Sequence, residues 1–312
     1  MRYRPLGRSG LTVSVVGLGC NNLGRTLDVA ASRKVLDAAL DAGITLLDVA
    51  DTYGSRPGES EEILGEVLEG RRDDVVLATK FGMDMRGVNG PDWGARGSRR
   101  YLRRAVEASL RRLRTDHVDL YQYHRPDGVT PIEETLAALD ELVRAGKVGY
   151  VGSSNFAGWQ VAQADHAARE AGVQRFVSAQ NEYNLLDRGV EAELAPACAA
   201  YGVGLLPFFP LANGLLTGKY ARDLPPPAGT RIGDRKRELH SSAPWDVLDR
   251  LARFAADRGL EMIDVAIGWL AARPAVASVI AGATSPEQVR RNAGAGEWQP
   301  TPQDLAALDE IV

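Results

Sequence analysis

Residues 136–146 read LAALDELVRAG and residues 148–154 read VGYVGSS. An Ala- and Leu-rich helical pattern runs into Gly146, and an apolar run begins two positions later. Glycine just past a helix end is the expected C′ residue, because it enters the left-handed region without a Cβ clash. The same unit recurs as LDAALDAG with ITLLDVA at Gly43, EEILGEVLEG with VVLATK at Gly70, HAAREAG with RFVSAQ at Gly172, and PACAAYG with VGLLPFF at Gly202. The runs after the glycines are mostly continuously apolar, as in parallel strands covered on both faces. Strand starts are predicted near Val13, Ile44, Val75, Val118, Val148, Phe176, Gly204 and Ala277. Most steps are about 30 residues, one βαβ unit each. The longer steps hold a polar loop at Met83–Ser98 and a Pro- and charge-rich loop at Ala221–Trp245. The second loop is followed by helical patterns at Asp246–Arg258 and Met262–Ala272. Right-handed crossovers over eight parallel strands predict an α/β fold, a (β/α)8 or TIM barrel. An open, doubly wound sheet is the competing reading, because spacing does not itself show closure. No linker-like stretch interrupts the pattern, so residues 1–312 are expected to form a single barrel domain.

The 312 residues carry a formal net charge of -4, with 45% hydrophobic and 25% charged residues. That balance excludes a disordered chain. It also offers no general attraction to nucleic acid or to an anionic membrane. Two cysteines, Cys20 and Cys198, form no disulfide framework, and their scarcity suits a reducing compartment. No signal-type stretch opens the sequence and no apolar run approaches the ~20 residues of a membrane span. The expected location is the cytoplasm. The 33 glycines exceed the roughly 7% of average usage and have no collagen period.

Gly17-Leu-Gly19 follows the first predicted strand, but Asn22 stands where a dinucleotide fingerprint needs its third glycine. An incomplete GxG is weak evidence, and a tight turn at the barrel mouth is the better reading. In a barrel the C-terminal strand ends carry the site. Those ends present Asp48, Lys80, His124, Ser153, Ser154, Asn155, Gln180 and Phe208, with Tyr53 five residues past Asp48. Taken singly, each has a structural explanation: a cap, a rim tyrosine, a solvated lysine, a core histidine. Together they form a proton-transfer set. Tyrosine has an unperturbed pKa of about 10, and a nearby ammonium is expected to lower it. Asp48 would hold Lys80 charged, and His124 would hydrogen-bond a substrate oxygen. There is no GxSxG nucleophile elbow, and the four histidines, His117, His124, His166 and His240, form no metal-ligand spacing.

The chain resembles the aldo-keto reductase superfamily over nearly its whole length. The resemblance is carried by RPLGRSGLTVSVVGLG, LLDVADTYG, VVLATKFG, VDLYQYHRPD, GYVGSSNF, SAQNEYN, PLANGLLTGKY and VIAGATSPEQVRRN, in that order. It implies a (β/α)8 barrel of eight parallel strands with an N-terminal β-hairpin and long loops at the C-terminal face. It implies a catalytic set of Asp48, Tyr53, Lys80 and His124. The implied reaction is reduction of an aldehyde or ketone, or its reverse, with NADP(H) as the preferred cofactor and NAD(H) as the alternative. Cofactor contacts are implied at Gly19, Asn21, Ser154, Asn155, Gln180, Phe208, Leu211, Asn213, Gly214, Lys219, Gly282, Thr284, Gln288, Arg291 and Asn292, and no metal is implied. Phe208 would stack on the nicotinamide, with Phe209 as the alternative. Family members that bind a ribose 2′-phosphate carry Lys and Arg where this sequence has Gly282 and Gln288, which leaves Arg290 or Arg291 to compensate.

The expected partner is a small carbonyl substrate, with no nucleic acid and no membrane, in a monomer or small homo-oligomer. Its pocket is expected among loops Asn21–Leu27, Phe81–Arg96 and Ala221–Ser242, with Trp93 as an apolar wall. Two other readings compete: a nicotinamide-binding regulatory or sensor subunit with little turnover, and a barrel aldolase using Lys80 as a Schiff-base lysine.

Overall fold

The computed structural model describes residues 1–312, apart from the side chain of Arg235. Strands β1 (Tyr3–Pro5) and β2 (Thr12–Ser14) form an antiparallel hairpin. The alternating segments that follow are β3 (Val16–Gly19), α1 (Val29–Asp41), β4 (Leu46–Asp48), α2 (Glu59–Val67), β5 (Val76–Phe81), α3 (Arg99–Leu113), β6 (Val118–Tyr123), α4 (Ile132–Arg144), β7 (Val148–Ser154), α5 (Gly158–Ala171), β8 (Ser178–Gln180), α6 (Leu194–Tyr201) and β9 (Gly204–Leu205). Short helices α7 (Arg231–Arg235) and α8 (Arg237–Ser241) precede α9 (Trp245–Ala256), α10 (Met262–Ala271), β10 (Val279–Gly282), α11 (Pro286–Ala295) and α12 (Pro302–Ile311). The five glycines that end the helical patterns all have left-handed φ, from 63° at Gly172 to 78° at Gly43.

The eight parallel strands run in the order β10-β3-β4-β5-β6-β7-β8-β9. The two edges meet: Leu205 N–H donates to Ala275 O at 2.7 Å, Ala277 N–H to Leu205 O at 2.9 Å, and Ile280 N–H to Pro207 O at 2.9 Å. The sheet therefore closes, and the open doubly wound alternative is excluded.

The strand expected near Val13 divides in two. Val13 lies in the hairpin, and the barrel strand starts at Val16. The reason is local. Ser14 Oγ donates to Val16 O and accepts from the Thr45 amide, which turns the chain between the two elements. The loop expected over Ala221–Trp245 is not wholly irregular, since α7 and α8 fold within it. In α7, Thr230 caps the helix by accepting from Gly233 N–H.

Two apolar layers form the core. One lies between strands and helices. The other fills the lower barrel and comprises Leu46, Ala78, Leu120, Leu206, Ala277 and Ile280, with Leu6 and Val13 of the hairpin closing the floor. Side chains on a strand alternate faces. The residues two positions beyond Leu46, Ala78 and Leu120 are Asp48, Lys80 and Gln122, so the interior turns polar as the strands reach their C-terminal ends.

Candidate functional site

The polar layer follows from register. Lys80 pairs with Gln122, Gln122 with Gly152, and Gly152 with Ser178 across β5–β8. Gly152 is required by space: a Cβ there would lie 2.1 Å from Ser178 Oγ. Its bare backbone makes room for the Gln122 side chain, whose Cγ would lie 3.2 Å from the same Cβ.

Lys80 is fully buried. Its ammonium donates to Asp48 Oδ2 at 2.7 Å, Val49 O at 3.0 Å and the Tyr53 hydroxyl at 3.4 Å, using all three protons of the group. The other carboxylate oxygen, Asp48 Oδ1, accepts from Gln180 Nε2 at 2.8 Å and Gln122 Nε2 at 3.2 Å. A buried carboxylate is thereby satisfied on every side, the condition under which buried ion pairs persist. Burial on its own would lower the Lys80 pKa, but the pull of Asp48 and Tyr53 outweighs it and holds the ammonium above its ordinary value.

Tyr53 follows a short turn whose amide returns to Ala50 O at 3.1 Å. Its ring stands edge-on to His124, with centroids 5.9 Å apart. Burial pushes the phenol above its ordinary pKa, while Lys80 pulls it down by less. This corrects the sequence expectation of a lowered tyrosine. The ammonium acts in the expected direction, but removal of the hydroxyl from water is the larger effect. The group is a phenol at neutral pH, with a cation placed to receive the phenolate.

His124 is held well below the ordinary histidine pKa, by burial first and then by Lys80 and Arg125. It is therefore neutral, with one N–H to give. Among the described residues its Nδ1 has no hydrogen-bond partner. Asp48, Tyr53, Lys80 and His124 thus lie together.

The remaining candidates gather around this mouth. Ser154 Oγ donates to Gln180 O at 2.9 Å, and Asn155, in the left-handed region with φ 58°, donates from Nδ2 to His124 O at 2.9 Å. Phe208 continues the β9 ladder and meets Phe209 edge-on at 5.1 Å. Arg231 and Lys236 both stand 5.8 Å from the Phe209 ring. On both sides of Leu211 the chain is strained: Phe209, Ala212 and Asn213 have φ of 51°, 45° and 59°. Gly214 faces Lys219, whose Nζ would lie 3.4 Å from a Cβ at Gly214.

On the opposite rim, a Cβ on Gly282 would lie within 3.9 Å of Asn22 Nδ2, Asn21 Oδ1 and Gly19 O, so Gly19, Asn21 and Gly282 meet. Ser285 caps α11, with Pro286 in the first turn. Gln288 Oε1 accepts from Thr284 N–H at 2.8 Å, and Asn292 donates to Gly282 O at 3.3 Å. Arg291 is paired with Glu261. Trp93 is 70% exposed beneath the Arg100 guanidinium, 4.4 Å away. It stands in solvent on its loop.

Gln122 was missed in the sequence. The available signal was its place two residues before His124 in VDLYQYH, on the same strand face. Also missed was a buried group behind the site, Asp51, Glu61, Asn89 and Arg112, whose members lie on four different segments.

A family model for the Aldo/keto reductase family matches residues 15–312. The chain is 38% identical over 317 residues to YrpG, an uncharacterized oxidoreductase of Bacillus subtilis (strain 168), covering 100% of this chain and 96% of that protein. It is 36% identical over 323 residues to a probable voltage-gated potassium channel subunit beta of Oryza sativa subsp. japonica, covering 100% and 97%. It is 35% identical over 324 residues to L-glyceraldehyde 3-phosphate reductase of Escherichia coli (strain K12), covering 100% and 92%.

Proposed function

The chain belongs to the aldo/keto reductase family, and from that footing we propose that it reduces aldehydes or ketones to alcohols with a nicotinamide dinucleotide, Tyr53 being the acid. The observation that carries this reading is the position of the Lys80 ammonium, 2.7 Å from Asp48 and 3.4 Å from the Tyr53 hydroxyl.

The residues present suit a dinucleotide. The polar strand ends, the strained Phe209–Asn213 backbone and the capped α11 N-terminus offer N–H groups where a carboxamide and phosphates need donors. Ser154, Asn155 and Gln180 would hold the carboxamide, and Phe208 would lie against the nicotinamide ring. Leu211, Asn213, Gly214 and Lys219 would hold the pyrophosphate. Gly19, Asn21, Gly282, Thr284, Gln288 and Asn292 would hold the adenosine end. NADP(H) is the preferred form. Arg291 is taken by Glu261, which leaves Arg290, exposed and without an ion partner among the described residues, for a 2′-phosphate.

A bound reduced nicotinamide supplies the hydride that the carbonyl carbon receives. Neutral His124 donates its N–H to the carbonyl oxygen and polarises it. Tyr53 passes its proton to the same oxygen as negative charge develops there. The resulting phenolate is stabilised by the Lys80 ammonium, and Asp48, fixed by Gln122 and Gln180, keeps that ammonium in place. Uptake of a proton restores the phenol.

Tyr53→Phe tests the assignment. Carbonyl reduction is expected to fall by about 10²–10⁴-fold, while cofactor affinity, read from quenching of protein fluorescence, stays unchanged. Turnover near wild type would remove Tyr53 as the acid. The same pair of measurements addresses the second reading, a regulatory nicotinamide-binding subunit, which similarity to the channel subunit favours. That reading predicts tight cofactor binding with negligible turnover even in the wild type.

A further inference from the structure

Behind the Tyr53 turn lies a buried polar cluster that the proton-transfer set does not use. Asp51, three residues past Asp48, is fully buried, as is Glu61 of α2, and Asn89 of loop 83–98 is 6% exposed. Arg112 of α3 joins them. Its Nε donates to Glu61 Oε2 at 2.7 Å, one terminal nitrogen to Asn89 Oδ1 at 3.2 Å and the other to Ser109 Oγ at 3.3 Å. Thr79 Oγ1 donates to the second Glu61 oxygen at 2.5 Å. Asn89 Nδ2 donates to Asp51 Oδ2 at 3.4 Å. The Asp51 amide donates to Lys80 O at 3.3 Å. The bonds close a ring: Asp51 to Asn89 to Arg112 to Glu61 to Thr79, then along the chain to Lys80 and back to Asp51.

This ring holds two carboxyls and one guanidinium. Glu61 takes the guanidinium. Asp51 receives a long amide bond from Asn89 on Oδ2 and a minor backbone contribution from Thr52, and its Oδ1 has no hydrogen-bond partner among the described residues. A buried carboxyl without a cation of its own sheds its charge by keeping a proton.

We propose that Asp51 and Asn89 are positioning residues for the reduction: they clamp loop 83–98 and the Asp48–Tyr53 turn to one buried floor, and Asp51 carries a proton while it does so. The inference rests on the reductase reading for its kinetic consequence and on the ring alone for the clamp. The charged and titratable groups facing Asp51 are Glu61 from α2, Arg112 and Tyr101 from α3, Lys80 from β5 and Tyr121 from β6. Burial and then Glu61 raise its pKa well above the carboxylate range, against the weaker pulls of Arg112 and Lys80.

The test compares wild type with Asp51→Asn and Asn89→Ala in three measurements: hydrogen exchange of residues 84–97, melting temperature against pH, and kcat beside cofactor affinity. Asn is the neutral isostere of a protonated Asp, so Asp51→Asn is expected to keep wild-type loop protection and to lose much less kcat than Asn89→Ala. In the wild type the folded chain binds a proton that the unfolded chain lacks, so stability falls as pH rises through the raised pKa. The melting temperature of Asp51→Asn is therefore expected to gain on wild type as pH rises above the ordinary carboxylate pKa of about 3.9, a trend that a packing role would not produce. Asn89→Ala is expected to speed exchange of the loop and to lower kcat by about tenfold at unchanged cofactor affinity. A melting difference independent of pH, or a kcat loss in Asp51→Asn as large as in Asn89→Ala, overturns the proton. Unchanged loop exchange in Asn89→Ala overturns the clamp. If the wild type reduces no carbonyl, the function reading fails, while exchange and melting still decide this inference.

Discussion

Gln122 Nε2 donates to Asp48 Oδ1 at 3.2 Å, so the carboxylate that anchors Lys80 is itself anchored from β6, two strands away. Gln122→Leu keeps a side chain of similar size and removes that donor. A hydrogen bond to a charged group is worth about 1.5–3 kcal/mol, and urea unfolding is expected to show a loss of that order, with kcat reduced as Asp48 loosens. An unchanged unfolding midpoint would assign Asp48 wholly to Lys80 and Gln180.

Lys80→Met leaves Asp48 buried with two amides and no cation. Breaking a buried pair on one side costs about 3–5 kcal/mol, so this variant is expected to lose stability together with turnover. Adding Asp48→Asn removes the stranded charge. The double variant is expected to regain part of the stability and none of the turnover, as read by urea unfolding and a carbonyl-reduction assay on the same preparations.

His124 carries a pH signature. Its folded pKa lies well below 6.5, so between that value and 6.5 the unfolded chain binds a proton that the folded chain refuses. Stability is complete above this window and declines as pH falls through it, by up to about 1.4 kcal/mol per pH unit. His124→Gln is expected to flatten the acid limb of the melting curve. A limb of unchanged slope would place the responsible group elsewhere.

Gly152→Ala forces a methyl to within 2.1 Å of Ser178 Oγ. Overpacking of this kind costs about 1–3 kcal/mol. Ser178→Ala in the same chain removes the obstructing oxygen and is expected to return most of the loss. If the double variant melts with the single one, the strain lies in the backbone and not in the Oγ contact.

The barrel was legible because its punctuation is local. Each of Gly43, Gly70, Gly146, Gly172 and Gly202 ends a helix in the left-handed region, and that requirement is written at a single position. Closure was not legible, since it depends on Leu205 meeting Ala275 and Ala277 across the sheet edges, and no spacing encodes that meeting. Among site residues, Asp48, Lys80 and His124 could be read off as polar groups that interrupt apolar runs. Gln122 shares that property but was passed over for its neighbour. The direction of the Tyr53 shift was misread because charge neighbours can be guessed from a sequence, whereas the depth of a hydroxyl depends on every segment above it. The Asp51 ring was invisible for the same reason: its four side chains meet only after β4, α2, the loop and α3 have packed.

The partners of Asp48 lie in β5, β6 and β8, and this bears on how the site comes into being during folding. A fragment ending at Ala171 would contain Asp48, Tyr53, Lys80 and His124, yet Gln180 would be missing and water would reach the carboxylate. The proton-handling character therefore belongs to no half of the ring. It depends on β5, β6 and β8 together, since each supplies one of the groups that hold Asp48.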